Sequence, residues 1–129
     1  MHLTSDDLFN LVQREIESDE LCKRFTQSGM CRSWSGAALK VLDTLRGKLE
    51  SQIEYEAREV NISIGLSHTF IKIVFIIEDE AYAYLMDGCG VLGFEPYFGR
   101  EGNAPKHLLG SHSDPINLYR KLDRSGNEK

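Results

Sequence analysis

Several features that would commit a chain to a specialised environment are missing from this 129-residue sequence. No apolar run approaches the roughly 20 residues a membrane span requires. Basic residues are in the minority: 15 Lys and Arg face 20 Asp and Glu, for a net charge of −5. Non-specific nucleic-acid binding, which draws on clustered cations, is therefore not expected. Met1-His2-Leu3-Thr4-Ser5-Asp6-Asp7 has no basic stretch followed by an apolar one, so it does not read as a signal peptide. There are only three cysteines, Cys22, Cys31 and Cys89. The odd count fits reduced thiols in the cytoplasm better than a disulfide scaffold. No C-x-x-C or H-x-x-x-H spacing marks a zinc site. Internal repeats and interdomain linkers are absent too, so one domain over residues 1–123 with a frayed tail at 124–129 is expected.

What is present is a change of period along the chain. Thr4 or Ser5 can cap a first helix whose apolar face is Leu8, Leu11, Val12 and Ile16. Leu21, Cys22 and Phe25 continue it after a break near Ser18-Asp19. A second helix is predicted from about Arg32 to Leu49. Its buried stripe is Trp34, Ala37, Ala38, Val41, Leu42, Leu45 and Leu49. From Ile53 the period becomes two. Val60, Ile62, Ile64 and Leu66 alternate with polar residues or glycine, as in a half-buried strand. His68 to Ile77 is apolar on both faces and reads as a central strand. Glu78-Asp79-Glu80 makes a turn, and Ala81 to Met86 returns. A glycine-rich, loop-like segment follows to residue 110. Ser113-Asp114-Pro115 has helix-start chemistry, which predicts a short last helix over Ile116 to Leu122. Helices followed by a sheet make the fold class α+β, with N-terminal helices packed on a small antiparallel sheet.

Chemistry concentrates on three residues. Cys31 lies at the start of the second helix, where the dipole favours a thiolate. It also extends the Trp34 stripe, so it points inward. His68 opens the central strand, and Asp87 ends the next one. If the hairpin turn centres between Glu78 and Asp79, Asp87 falls opposite Phe70. His68 shares the face of Phe70, so His68 and Asp87 become diagonal neighbours. A cysteine nucleophile needs a base in reach and a third group to orient it. Cys31, His68 and Asp87 fill those roles. The Cys31 N–H and the Gln27 side chain are candidate oxyanion donors. Trp34, Gly88 and Tyr97 are candidate walls of the substrate site, with core packing the competing role for Trp34.

A Cys at the N-terminus of a long helix, a His in Ser67-His68-Thr69-Phe70-Ile71-Lys72-Ile73 and an Asp in Tyr84-Leu85-Met86-Asp87-Gly88 together resemble the papain-like and transglutaminase-like cysteine hydrolases over about residues 27–90. The resemblance is to the branch with Asp as third residue. It departs from papain in that Phe25 stands six residues before Cys31, where papain has its oxyanion Gln. It implies acyl transfer to water on an amide of a protein or peptide, by a peptidase or glutamine deamidase, or a related acyltransferase. An effector delivered into another cell would look the same. No cofactor, metal, nucleic acid or membrane enters that chemistry.

Other constellations compete. Gly88-Cys89-Gly90-Val91-Leu92-Gly93 matches G-x-G-x-x-G, but Phe94-Glu95-Pro96 opens no helix to receive a pyrophosphate. Cys89 could be the nucleophile with His107 or His112 as base. Phe94 to Arg100 is either a substrate-recognition loop or a cover for the sheet edge. The alternative from another class is a non-catalytic binding or regulatory domain, with Cys31 as core packing and the 88–110 loop as its docking surface.

Overall fold

A computed structural model describes residues 3–26, 30–49, 52–91, 93–109, 113–116 and 118. Three helices come first: α1 (Ser5–Ser18), α2 (Glu20–Arg24) and α3 (Cys31–Arg46). Thr4 caps α1 in a reciprocal capping box with Asp7. The expected break falls at Asp19, whose side chain accepts from the Cys22 N–H and starts α2. Cys31 is the first residue of α3, one position earlier than the periodicity alone indicates.

Five antiparallel strands form one sheet in the order β4-β3-β2-β1-β5: β1 (Gln52–Ser63), β2 (Leu66–Ile77), β3 (Glu80–Asp87), β4 (Tyr97–Arg100) and β5 (Ser113–Ile116). The chain is thus α+β, with β2 at the centre of the sheet. Period-two alternation gives that sheet two faces with separate cores. Ile53, Ala57, Ile71, Ile73, Phe75, Tyr84 and Met86 pack with the apolar stripes of α1 and α3. Val60, Phe70 and Leu85 form a smaller cluster on the other side with Leu108 from a short 3-10 turn. Tyr84 ties the layers together. Its ring stacks on Phe9 at 4.4 Å and its hydroxyl donates to Asp6 Oδ1 at 2.6 Å.

Three expectations need correction. The strand expected to run through Ile64 and Leu66 ends at Ser63. Gly65, at φ 77°, turns the chain, so Ile64 is fully exposed at the hairpin tip and Leu66 begins β2. The helix start at Ser113-Asp114-Pro115 is instead strand β5, paired with the outer edge of β1. Pro115 offers no N–H, which an edge strand tolerates. Arg58 then clamps Ser113 through its Nε to Oγ and its guanidinium to the carbonyl, both at 2.6 Å. Most of the predicted last helix, residues 117 and 119–122, and the 124–129 tail lie outside the described residues. Finally, the loop-like segment contains a strand. β4 pairs with β3 and covers that sheet edge, which favours the edge-cover role for residues 97–100.

Candidate active site

The β2–β3 hairpin sets the site. Ile77 pairs with Glu80 around a two-residue turn, Glu78-Asp79, both residues at positive φ. Pairing runs in register to Ile71 opposite Met86, which places Asp87 opposite Phe70. His68 Nε2 donates to Asp87 Oδ2 at 2.8 Å, and both side chains are fully buried. The second carboxylate oxygen is also held. Asp87 Oδ1 accepts from the Gly90 N–H at 2.9 Å and the Cys89 N–H at 3.3 Å. The carboxylate is therefore fixed by its own loop before it meets the imidazole.

His68 shares the parity of Phe70, on the sheet side away from the helices. Cys31 comes from the helix side. They meet because β3 ends at Asp87 while β2 runs on to Leu66. That stretch of β2 has β1 on one side and no β3 partner on the other. The start of α3 occupies the gap. There the Thr69 N–H and the His68 ring both interact with the Cys31 sulfur. With Nε2 committed to Asp87, Nδ1 is the ring nitrogen left for Cys31. It is buried and has no formed hydrogen bond, so the thiol–imidazole contact is a close approach rather than a tightened bond.

The electrostatics favour an ion pair. The neighbouring Cys89 thiol, together with His68 and the Thr69 N–H, brings Cys31 down to about 4 against the opposing effect of burial. Burial also opposes the charged form of His68, but Asp87 and then Cys31 outweigh it and raise the imidazole to about 9. A thiolate beside an imidazolium is thus favoured across neutral pH. Cys89 moves the other way. Its contact with Cys31 and its burial push its thiol far up, so it stays protonated.

A cleft of about 360 Å³ opens on Cys31 and is lined also by Arg32, Ser33, Gly65 to Thr69, Gly90 and Val91. The N-cap of α3 is Met30, which supplies no side-chain acceptor. The first turn of α3, whose N–H groups have no acceptor within the helix, lies at this cleft.

The other expected site residues lie elsewhere. Trp34 is buried, edge-on to Phe98 at 5.9 Å, with its indole against the Gly88 backbone. Trp34 and Gly88 line a separate cavity of about 370 Å³ with Cys22 and Pro96. Their role is to hold the Asp87 loop against α3. The core packing weighed for Trp34 is what the structure has. Tyr97 packs at the second core and donates to the Arg100 carbonyl at 2.7 Å, away from the cleft. Gln27 and His112 lie outside the described residues. No group of metal-ligating side chains occurs among the described residues. After Gly88 the chain turns back through a Val91–Phe94 bridge, so the glycine pattern opens no helix.

Two neighbours of the site were not assigned to it from sequence. One is Cys89, as a second thiol beside Cys31. Its position two residues after Asp87 was the available signal. The other is His107, whose ring stacks on Phe94 at 4.0 Å and lies 6.4 Å from His68. Burial and the His68 charge lower its pKa.

No family model matches the chain, and neither a curated protein nor a solved structure does. The described residues contain no helix long and apolar enough to cross a membrane.

Proposed function

We propose that this protein is a cysteine-nucleophile hydrolase of papain-like or transglutaminase-like type, acting on an amide of a protein or peptide in the cytoplasm. The supporting observation is the contact chain from the Cys31 sulfur through the His68 ring to Asp87, at a cleft open to substrate. The Cys31 thiolate attacks the carbonyl carbon. The oxyanion forms beside the backbone N–H of Cys31 at the start of α3. His68 passes its proton to the departing amine, or to ammonia if the substrate is a glutamine side chain. Water then attacks the thioester with His68 as base, releasing the acid and restoring the thiolate. Asp87 keeps Nδ1 facing the sulfur throughout. Peptidase and deamidase share every one of these steps and differ only in the leaving group.

In the competing role Cys31 is packing. Its place in an open cleft and its lowered pKa weigh against that. The rate of Cys31 alkylation by iodoacetamide across pH separates the two. The triad requires full reactivity already near neutral pH, and a His68→Ala variant in which the profile returns to that of a free thiol near 8.5. An ordinary profile in the wild type, unmoved by His68→Ala, would falsify the proposal.

A further inference from the structure

The hydrolytic steps use one thiol and leave a second beside it. Cys89 is buried, 6% exposed, in the loop that Asp87 organises. That loop lies against the first turn of α3, where a Cβ on Gly88 would fall 2.0 Å from the Trp34 ring. The Cys89 sulfur lies 3.9 Å from Asp87 Oδ1, and the next two residues, Gly90 and Val91, line the same cleft as Cys31, which brings the Cys89 thiol beside the Cys31 sulfur. The two sulfurs differ in access and in protonation. Cys31 is only partly buried and faces the cleft, whereas Cys89 is closed off behind it. The third thiol, Cys22, is elsewhere, in α2 beside the cavity on the Trp34 side.

We propose that Cys31 and Cys89 form a reversible disulfide under peroxide, making Cys31 the oxidised thiol and Cys89 its resolving partner. The inference rests on the Cys31 thiolate of the proposed site, but not on substrate turnover. In the first step the Cys31 thiolate attacks one oxygen of hydrogen peroxide. An S–O bond forms, the O–O bond breaks, and hydroxide leaves, giving Cys31 sulfenic acid. The sulfur is oxidised by two electrons and the peroxide reduced by two. In the second step the Cys89 sulfur attacks the Cys31 sulfur. The S–O bond breaks, and the Cys89 proton leaves with the hydroxyl as water.

The geometry suits this sequence. The sulfenic acid forms where peroxide can enter, and the attacking thiol sits in the loop packed between Trp34 and the cleft. Bringing the two sulfurs to the bond length of about 2 Å needs movement of a loop that Gly88 and Gly90 flank. Oxidation removes the nucleophile while protecting it from irreversible sulfinic acid, and a dithiol reductant reverses it.

The test treats the reduced, full-length protein with one equivalent of hydrogen peroxide. The expected product has lost two hydrogens by intact mass and shows a Cys31–Cys89 crosslink in a non-reducing peptide map. Alkylation of Cys31 falls about tenfold or more and returns after dithiothreitol. Cys22→Ala should behave as wild type. Cys89→Ser should instead accumulate a dimedone-trappable sulfenic acid at Cys31. Trapping as fast in wild type as in Cys89→Ser, or a crosslink through Cys22, overturns the proposal. Amide hydrolysis by the reduced wild type is read in parallel. Turnover without a disulfide removes only the redox inference, and a disulfide without turnover removes only the hydrolase.

Discussion

The two ends of the β2–β3 hairpin have opposite uses. At one end the strands stay paired up to a two-residue turn, Glu78-Asp79, and the chain simply reverses. At the other, β3 stops at Asp87 while β2 continues to Leu66. The unmatched stretch leaves backbone donors without a sheet partner, and such groups must be satisfied elsewhere. The Thr69 N–H turns to a cysteine sulfur, and a helix N-terminus fits into the gap. The lesson is that the site is built from an incomplete ladder. The same strand that pairs on both sides along most of its length offers the proposed site its His68 where its neighbour ends.

The heaviest blow to the chemical end is Asp87→Asn. Its Oδ1 must keep accepting from Gly90 and Cys89, so the new amide NH₂ faces His68 Nε2. That makes Nε2 an acceptor and moves the ring proton to Nδ1, the wrong tautomer for a base. On the proposed function, hydrolysis is expected to fall by roughly 10²–10⁴-fold in steady-state kinetics. A loss under threefold would mean the imidazole needs no orienting partner.

The pH profile of kcat/KM sharpens the same end. Below about 4 Cys31 takes up a proton and the nucleophile is lost; above about 9 His68 gives up the proton that the leaving group needs. The expected profile is a broad bell with limbs of about tenfold per pH unit, each belonging to the coupled pair. A single rising limb near 8.5 would contradict the ion pair.

Gly88→Ala tests how the loop is seated. The added methyl would sit 2.0 Å from Trp34, in a close-packed region with no room to yield. A loss of ~1–3 kcal/mol in urea denaturation is expected, with slower Cys31 alkylation because Asp87 and Cys89 flank the change. Unaltered stability would detach this loop from α3.

The smallest effect belongs at the far end. Asp79 adopts φ 68°, a region that glycine enters freely. Asp79→Gly is expected to leave Cys31 reactivity unchanged and to raise stability by up to about 1 kcal/mol in the same denaturation assay. A change in alkylation would show that the two ends are coupled.

Much of this is legible before any coordinates. The α1 cap, the α3 stripe and the polar turn at Glu78-Asp79 follow from local periodicity and capping chemistry. The diagonal relation of His68 to Asp87 follows from counting outward from that turn. What misleads is composition without context. Ser113-Asp114-Pro115 has the residues of a helix start, yet β1 had an open edge to fill and Arg58 to hold the strand there. Trp34 and Tyr97 are the kinds of residue that line substrate clefts, yet both are used for packing. Aromatic side chains suit either role, and only their neighbours distinguish them.

By itself, the sequence determined α1 and α3, the hairpin register and the three residues with the chemistry for a triad. Those features depend on spacings of a few residues, which local backbone geometry enforces. Tertiary structure alone decided that Cys31 meets His68 past the end of β3, that Cys89 lies behind it as a second thiol, and that Trp34 faces away from the cleft. Each of these depends on where one element stops beside another, and contacts between distant segments have no period to be read along the chain.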